Sequence, residues 1–147
     1  MRAEATDFAV REARSSDAPR VVELMEQLGY RATVEQVAER LGMCGHQRQV
    51  FVAVDEKGRI AGWIAISLPI YLIAGMRAEI EGLIVDANRR ELGAGRALIE
   101  RAERWARKNG CATMRLLSNV GRERAHAFYE RHGYSTIKTE HVFEKSL

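Results

Sequence analysis

The sequence contains little of what export, disulfide stapling or membrane insertion would require. Its 147 residues include two cysteines, Cys44 and Cys111, which stand far apart without a CxxC motif. This usage argues against a disulfide framework and favours reduced thiols in a reducing compartment. No apolar run approaches the roughly 18 residues of a membrane-spanning helix, and the opening residues MRAEATDFAV contain no apolar segment typical of a signal peptide. We therefore expect a cytoplasmic protein without a membrane partner.

An excess of one charge is also missing. The sequence has 23 lysines and arginines and 20 aspartates and glutamates, for a net charge of +3, and the two signs alternate along the chain. Nucleic-acid binders usually carry a basic stripe, and no predicted helix has a cluster of base-reading residues. We therefore expect no nucleic-acid partner. The sequence leaves the oligomeric state open, with a homodimer among the alternatives.

The four histidines do not form a metal-binding pattern. Cys44 and His46 are only a short pair, and the six-residue spacing of His126 and His132 does not stack them on one helical face. We expect no dedicated metal site.

The chain has the length of one ordinary domain, and a hydrophobic content of 46% can build one sizeable core. We expect a single domain over residues 1–147. Hydrophobic periodicity and glycine stops predict the order βααβββαβαβ, ending in one or two strands within YSTIKTEHVFEKS. Ser16 or Asp17 is expected to cap the first helix, with Pro19 in its first turn, Thr33 is expected to cap the second, and DEKG is a hairpin signature. The segment PIYLIAGM is ambiguous between strand and loop, since Pro69 argues against a central strand. A hairpin block before a βαβ unit indicates a mixed sheet flanked by helices.

The predicted long helix begins in an unusual way. The stretch RRELGAGRALIERAERWARKNGC has Gly93 and Gly95 at this start, although an interior glycine costs about 1 kcal/mol relative to alanine. The first helical N–H groups have no carbonyl partner and lie at the positive end of the helix dipole. Arg89, Arg90 and Arg96 around these groups are unfavourable unless an anion neutralises them, and the glycines leave room for a phosphate. The pattern predicts a pyrophosphate-binding turn; a tight turn with surface arginines is the alternative.

Three segments carry a resemblance to a known family. The hexapeptide RELGAG, from Arg90 to Gly95, matches the R/Q-x-x-G-x-G/A acetyl-CoA motif of the GCN5-related N-acetyltransferases, whereas Leu98 rules out GxGxxG. EGLIVD before it resembles the central strand of that superfamily, and RERAHAFYERHGY resembles its block R-x-x-A-H-x-F-Y-x-x-x-G-F/Y. The likeness covers nearly the whole chain. It implies an α/β (α+β) fold: a mixed, mostly antiparallel sheet of roughly six to seven strands with a splayed parallel pair, flanked by about four helices.

The resemblance also implies acetyl-CoA as cosubstrate. In this superfamily the pantetheine arm pairs with the backbone of the central strand, in the gap between two splayed parallel strands. Gly82 within this strand is typical of a close backbone approach or a bulge. Asn119 and Arg122 are alternatives for one contact with CoA, because Arg122 occupies the position of the asparagine that family members often have. The cofactor-binding residues expected from the resemblance are Leu83, Ile84, Val85, Arg90, Glu91, Leu92, Gly93, Ala94, Gly95, Arg96 and Asn119.

Two residues are expected to carry the chemistry. By the two-residue period of a strand, Glu79 and Glu81 share one face. Leu83 and Val85 continue this face, and a carboxylate beside an apolar surface loses hydration and accepts a proton more readily. The family base aligns with Glu79 in some branches and with Glu81 in others, and we prefer Glu81 because it lies closer to the expected thioester. By the resemblance, Tyr129 is the acid that protonates the departing CoA thiolate; a core aromatic is the alternative.

The resemblance implies an N-acetyltransferase that moves an acetyl group from acetyl-CoA to a primary amine by direct attack. EIEGLIV, SNVGRERAHAFY and the ending FEKSL are similar to aminoalkylphosphonate N-acetyltransferases, for which Arg40, Arg48 or Arg77 could bind the anion. Aminoglycoside acetyltransferases, with Glu35 and Glu39 as acidic groups, and protein N-terminal acetyltransferases are rivals. A non-catalytic acyl-CoA-binding regulator is the rival from another class, although retention of an acid and a base argues against it.

Overall fold

Seven strands and four α-helices follow one another along residues 7–147, which are the residues that the computed structural model of the protein describes. None of the helices in this part of the chain is long and apolar enough to cross a membrane. Short 3-10 turns over Ser15–Asp17 and Ala87–Arg89 precede the first helix and the third. The elements are β1 (Ala9–Glu12), α1 (Ala18–Glu26), α2 (Val34–Gly42), β2 (Arg48–Val54), β3 (Ile60–Ser67), β4 (Ile70–Tyr71), β5 (Gly75–Met76), β6 (Ala78–Val85), α3 (Ala94–Lys108), β7 (Met114–Leu116) and α4 (Glu123–Arg131).

The contacts divide the chain into two compact units, Met1–Leu117 and Ser118–Leu147. The second contains α4 and a terminal segment. Residues 134–147, all of them described, form no strand, so the prediction of one or two terminal strands is wrong. Alternating β-branched and aromatic residues favour a strand only where a neighbouring strand and a packing surface are available, and the side chains from residue 135 onward are exposed.

The local signals for helices and turns are confirmed. Pro19 lies in the first turn of α1, with Asp17 at the N-cap position. Thr33 caps α2: its Oγ1 accepts a hydrogen bond from the Gln36 N–H at 3.1 Å, and Gln36 Oε1 accepts one from the Thr33 N–H at 3.0 Å. Gly58, with a φ of 74°, lies in the β2–β3 hairpin at DEKG. The ambiguous segment PIYLIAGM contributes the small β4–β5 hairpin.

The main sheet of the described residues has five strands in the order β1-β2-β3-β6-β7. Neighbours from β1 to β6 are antiparallel, and β6 and β7 are parallel. The predicted mixed, mostly antiparallel sheet with one parallel pair and four helices is therefore confirmed. Its strands number five rather than six or seven because β4 and β5 pair with each other and the terminal segment adds none.

Helices cover both faces of the main sheet. On one face, α1 and α2 pack in a cluster of buried side chains that includes Val52, Trp63 and Ile84. On the other face, α3 packs against β2, β3 and β6. A Cβ placed on Gly62 would lie 3.3 Å from Cδ1 of the buried Leu98. Since Gly62 and Trp63 are consecutive in a strand, they point to opposite faces, which separates α3 from α1 and α2.

An extra residue interrupts the regular pairing of β6. Ala65 pairs with Gly82, but the next residue, Ile66, pairs with Ile80. Glu81 is therefore the additional residue of a β-bulge. This confirms the interpretation of the strand glycine as a sign of a bulge.

The bulge changes which side chains share a face. Glu79 pairs with Ser67, which strand alternation puts on the face of Trp63, toward α1 and α2. Leu83 pairs with Ile64 and lies on the opposite face, toward α3. The prediction that the glutamates share a face with residues 83 and 85 is therefore wrong, because one inserted residue shifts the two-residue alternation.

Candidate functional site

The turn from Arg90 to Gly95 leads into α3 and leaves the start of that helix without a side-chain cap. Glu91 and Gly93 are left-handed, with φ values of 65° and 100°. Gly93 is the N-cap residue, and no described side chain accepts a hydrogen bond from the first N–H groups there. A Cβ on Gly93 would meet no described atom within 4 Å, so that side of the turn is open. The first N–H groups of a helix have no intrahelical carbonyl, and an anion can bind them.

The three arginines around this turn have different partners. Arg89 Nη2 lies 3.0 Å from Asp55 Oδ2, and Arg96 Nε lies 2.9 Å from Glu100 Oε1. Arg90 forms no ion pair with another described residue. A buried aspartate thus already neutralises Arg89, and a glutamate of the same helix pairs with Arg96. Arg90 is free to meet an anion.

Asp55, in the β2–β3 turn, has a side chain that is only 5% exposed. Its Oδ1 accepts hydrogen bonds from the N–H groups of Lys57 and Arg59, both at 2.9 Å. Its Oδ2 accepts one from Arg59 Nε at 2.9 Å and contacts Arg89. The hydrogen bond from the Arg59 N–H, together with those from its guanidinium and from Lys57, lowers the pKa of Asp55 to about 2, although burial opposes this.

Residues 86–89 connect β6 to the turn, and Arg89 at their end is bound by Asp55. A second buried carboxylate, Asp86, holds the start of this segment. Its Oδ2 accepts a hydrogen bond from Arg20 Nη2 at 2.7 Å, and its Oδ1 accepts bonds from Gln27 Nε2 at 3.2 Å and the Asn88 N–H at 3.0 Å. Burial alone would raise the pKa of Asp86, but the hydrogen bonds from Asn88, Arg20 and Gln27 outweigh it and lower that pKa. The segment is therefore attached to α1 at one end and to the β2–β3 turn at the other.

One edge of β6 is open beyond its first three residues. Within the described residues, β7 pairs with Ala78–Ile80, while β6 continues to Val85. No described strand pairs with this edge from Glu81 onward, the part that contains Leu83 and Ile84. The parallel pair that the resemblance implies is therefore present, and its pairing ends at Ile80. An extended chain can bind the main-chain groups of such an edge.

The two glutamates of β6 have different partners. Glu79 Oε1 accepts a hydrogen bond from the Tyr71 hydroxyl at 2.7 Å and one from Arg77 Nε at 3.3 Å. The Arg77 guanidinium also stacks on the Tyr71 ring, 4.4 Å from its centroid, so Glu79 anchors the β4–β5 hairpin. Glu81 Oε2 lies 2.6 Å from Arg48 Nη2, and these two side chains are 33% and 46% exposed. Glu81 is thus a solvent-accessible carboxylate bound by one cation.

Comparison with known proteins identifies the family that this arrangement belongs to. Residues 9–134, from β1 to beyond α4, match the Acetyltransferase (GNAT) family. The chain belongs to the GNAT acetyltransferase family. It is 33% identical over 149 residues to an uncharacterised N-acetyltransferase of Chlorobaculum tepidum, covering 96% of this chain and 84% of that protein. It is 31% identical over 119 residues to the aminoglycoside N(6')-acetyltransferase type 1 of Klebsiella aerogenes, covering 76% of each.

The fold of this GNAT protein also occurs in solved structures. A transcriptional regulator from Bacillus halodurans superposes with a TM-score of 0.83, covering 95% of this chain and all of that chain, at 22% identity. At that identity the likeness concerns the fold alone. Family and relatives together make the protein an acyltransferase, specifically an N-acetyltransferase. GNAT enzymes in general use acetyl-CoA as the acetyl donor, and small-molecule acceptors are typical of them.

The predicted acid of this GNAT chain, Tyr129, lies in the second unit, on α4. Burial raises the pKa of the Tyr129 phenol, and the positive charge of Arg122 opposes this. The Tyr129 ring packs edge-on against Phe128 and Tyr134, with centroid distances of 5.4 Å and 5.9 Å. The phenol is therefore protonated at neutral pH and held by aromatic packing.

Asn119 lies in the turn that precedes α4. Its Oδ1 accepts a hydrogen bond from the Gly121 N–H at 2.9 Å, an Asx turn. Its carbonyl oxygen accepts one from the N–H of Arg122, the N-cap residue of α4. The side-chain oxygen of Asn119 thus stabilises the turn, and the choice between Asn119 and Arg122 as a CoA contact stays a prediction.

The contacts of Asp55 with Arg89 and of Arg48 with Glu81 around the GNAT site are not apparent from the sequence. An aspartate at the start of a turn that ends in glycine is a signal for Asp55, because aspartate accepts N–H bonds in turns. Its second partner, Arg89, is distant in sequence and has no local signal. The contact between Arg48 and Glu81 likewise depends on the pairing of β2, β3 and β6.

Proposed function

We propose that this GNAT enzyme acetylates the primary amine of a small molecule that also carries an anionic group, with aminoalkylphosphonates as the acceptor class. One observation carries the proposal: the Glu81 carboxylate, which can receive an ammonium group, lies 2.6 Å from the Arg48 guanidinium, which can receive an oxyanion. Both side chains are partly exposed, so a short zwitterion can exchange with the internal ion pair. Arginine suits this role because its planar fork binds phosphate-like groups with paired hydrogen bonds.

For acetyl-CoA, we propose binding of the pyrophosphate to the N–H groups of residues 91–96, beside Arg90. The uncapped start of α3, the open space at Gly93 and the lack of an ion-pair partner for Arg90 among the described residues fit an anion. The pantetheine arm then follows the open edge of β6 at Leu83–Val85. Gly95, Ala94, Leu92 and Asn119 complete the proposed contacts.

In the proposed reaction, Glu81 accepts the amine proton, directly or through a water molecule. The amine nitrogen bonds to the acetyl carbonyl carbon, the C–S bond breaks, and the thiolate leaves with the electron pair. The Val85 N–H polarises the carbonyl, and Tyr129 gives its proton to the thiolate, which is of comparable basicity. No covalent enzyme intermediate is needed. The engagement of Glu79 by Tyr71 and Arg77 supports Glu81 as the base.

We also propose that residues 1–147 act as a single acetyltransferase domain. The family match over residues 9–134 includes residues on both sides of the division after Leu117. A domain that needed only one unit would match on one side of it.

Aminoglycosides are the second candidate acceptors. The 31% identical relative from Klebsiella aerogenes favours them, since its name is that of an aminoglycoside acetyltransferase. A polycation requires carboxylates, and Glu35 and Glu39 are exposed on α2. An open cleft beside the start of α2 has one carboxylate, Glu26, and one cation, Arg31, in its lining.

The acceptor class is tested by comparing kcat/KM for aminoethylphosphonate, an aminoglycoside and a peptide with a free N-terminus. We expect the phosphonate to be preferred by ten-fold or more, about 1.4 kcal/mol in transition-state binding. A ten-fold preference for the polycation or the peptide would overturn the acceptor proposal and leave the acetyltransferase activity intact.

The role of Arg48 is tested with a matched pair of amines. Arg48→Gln removes the oxyanion ligand, so kcat/KM should fall by about ten-fold more for aminoethylphosphonate than for ethylamine, which lacks the anion. Arg104→Gln, at an exposed position on α3, is the control for a lost surface charge. Equal losses on both amines would mean that Arg48 acts through Glu81 alone.

A further inference from the structure

The buried carboxylate of Asp55 connects two parts of the chain that are distant in sequence. Among the described residues, four donors reach its carboxylate oxygens, and three of them belong to its own hairpin: the N–H groups of Lys57 and Arg59, and Arg59 Nε. The fourth is Arg89, the residue directly before the turn from Arg90 to Gly95. A hairpin turn is already closed by the first three, so the fourth contact serves a different part of the molecule.

Arg89 is fixed both in its side chain and in its backbone. Its Nη2 lies 3.0 Å from Asp55 Oδ2, and its side chain is 20% exposed. Its guanidinium carbon lies 5.4 Å from the centroid of the Phe8 ring. Its N–H donates a hydrogen bond to the carbonyl oxygen of Asp86 at 2.9 Å. The chain then becomes extended at Arg90, with φ of −68° and ψ of 155°, so the path of the turn starts from an immobilised residue.

We propose that Asp55 is a positioning residue for acetyl-CoA binding: by holding Arg89 it fixes the backbone of the turn, and with it the N–H groups that receive the pyrophosphate. This inference rests on the proposed acetyl-CoA site at the start of α3. Asp55 acts through Arg89 and does not touch the cosubstrate. Because the carboxylate is buried and ionised at neutral pH, it also neutralises the positive charge of Arg89 directly before the turn.

A purely structural role for Asp55 in the hairpin makes a different prediction. Arg59 Nε binds the same Oδ2 atom at 2.9 Å, but its side chain is 67% exposed and belongs to the hairpin alone. Arg59→Gln therefore weakens the hairpin and spares the contact to Arg89. Asp55→Asn and Arg89→Gln break that contact from its two sides.

The test measures the Kd of acetyl-CoA by calorimetry on the full chain, with thermal melts of each variant. We expect Asp55→Asn and Arg89→Gln each to raise Kd by about ten-fold or more, since small misplacements of binding groups are costly. The double variant should add little to the larger single effect, because both residues act through one contact. Arg59→Gln should lower Tm and leave Kd unchanged. Arg89→Lys should bind acetyl-CoA more tightly than Arg89→Gln.

The outcomes separate this inference from the proposed function. A wild-type protein that does not bind acetyl-CoA overturns both. A wild-type protein that binds it, with unchanged Kd in Arg89→Gln and in every folded Asp55 variant, overturns the inference alone. A Kd that rises equally in Arg59→Gln also overturns it, because the hairpin as a whole would then be responsible. If Asp55→Asn does not fold, the comparison of the acetyl-CoA Kd in Arg89→Gln with that in Arg59→Gln decides.

Discussion

Two glutamates stand two residues apart on β6, and the bulge at Glu81 gives them different environments. Glu79 Oε1 is bound by Tyr71 and Arg77, which attach the β4–β5 hairpin to the strand. Glu81 is bound by Arg48, and both of these side chains are partly exposed. A general base needs a carboxylate that a substrate proton can reach, so the partners distinguish the two residues where the sequence motif does not.

Replacing each glutamate by glutamine tests this distinction. Glu81→Gln keeps the shape of the side chain and removes the proton acceptor, so turnover should fall by ~10²–10⁴ near neutral pH. Part of the loss should return at high pH, where more of the amine is unprotonated. Glu79→Gln should lower Tm, because it weakens the attachment of the hairpin, with a smaller effect on turnover. Steady-state rates and thermal melts of both variants would identify Glu79 as the base if it alone is crippled.

Tyr129→Phe tests the proposed acid by removing one oxygen and leaving the ring. Burial raises the pKa of the Tyr129 phenol, so the protonated, active form persists above its ordinary value of ~10. The wild-type rate should therefore fall through loss of the Tyr129 proton only at still higher pH. The variant should turn over more slowly, without that alkaline dependence, while Tm and the Kd of acetyl-CoA stay near wild type. A well-folded phenylalanine variant with wild-type turnover would falsify the assignment.

At the scale of elements, we expect the affinity of the turn into α3 for acetyl-CoA to depend on the charge of the side chain at residue 93. Gly93→Asp and Gly93→Asn introduce side chains of nearly equal size, and both residues tolerate a left-handed backbone better than most. They share the strain that any side chain meets at φ of 100°, and they differ in charge. We expect Gly93→Asp to bind acetyl-CoA at least about ten-fold more weakly than Gly93→Asn, about 1.4 kcal/mol, because a carboxylate repels pyrophosphate. Equal affinities by calorimetry would argue against a phosphate at this turn.

Most elements were predictable because their signals are local. Thr33 with Gln36 forms a capping box, and the glycine of DEKG lies in the hairpin turn, as the sequence indicates. The position of the bulge was only partly predictable. Gly82 pointed to it, but the register with β3 makes Glu81 the extra residue. The prediction of terminal strands was wrong for a related reason, since strand propensity does not specify a pairing partner.

At the scale of the whole molecule, the candidate site divides into a contiguous part and a part assembled by topology. The turn from Arg90 to Gly95 is one stretch of chain, so its motif could be found in the sequence. Arg48 and Asp55 reach the site from β2 and the β2–β3 turn, and their contacts depend on strand order. The open edge of β6 is likewise a consequence of a short β7. No local pattern determines these features.

Acetyl transfer by the whole chain is tested most directly by incubating the purified protein with acetyl-CoA and a panel of primary amines. Released thiol and acetylated amine are both measured, by absorbance and by mass spectrometry, with Glu81→Gln as the matched control. We predict thiol release that requires an amine, equals the N-acetyl product in amount, and leaves no acetyl group on the protein. Binding of acetyl-CoA without thiol release for any amine of the panel, in wild type as in Glu81→Gln, would contradict catalysis by direct transfer.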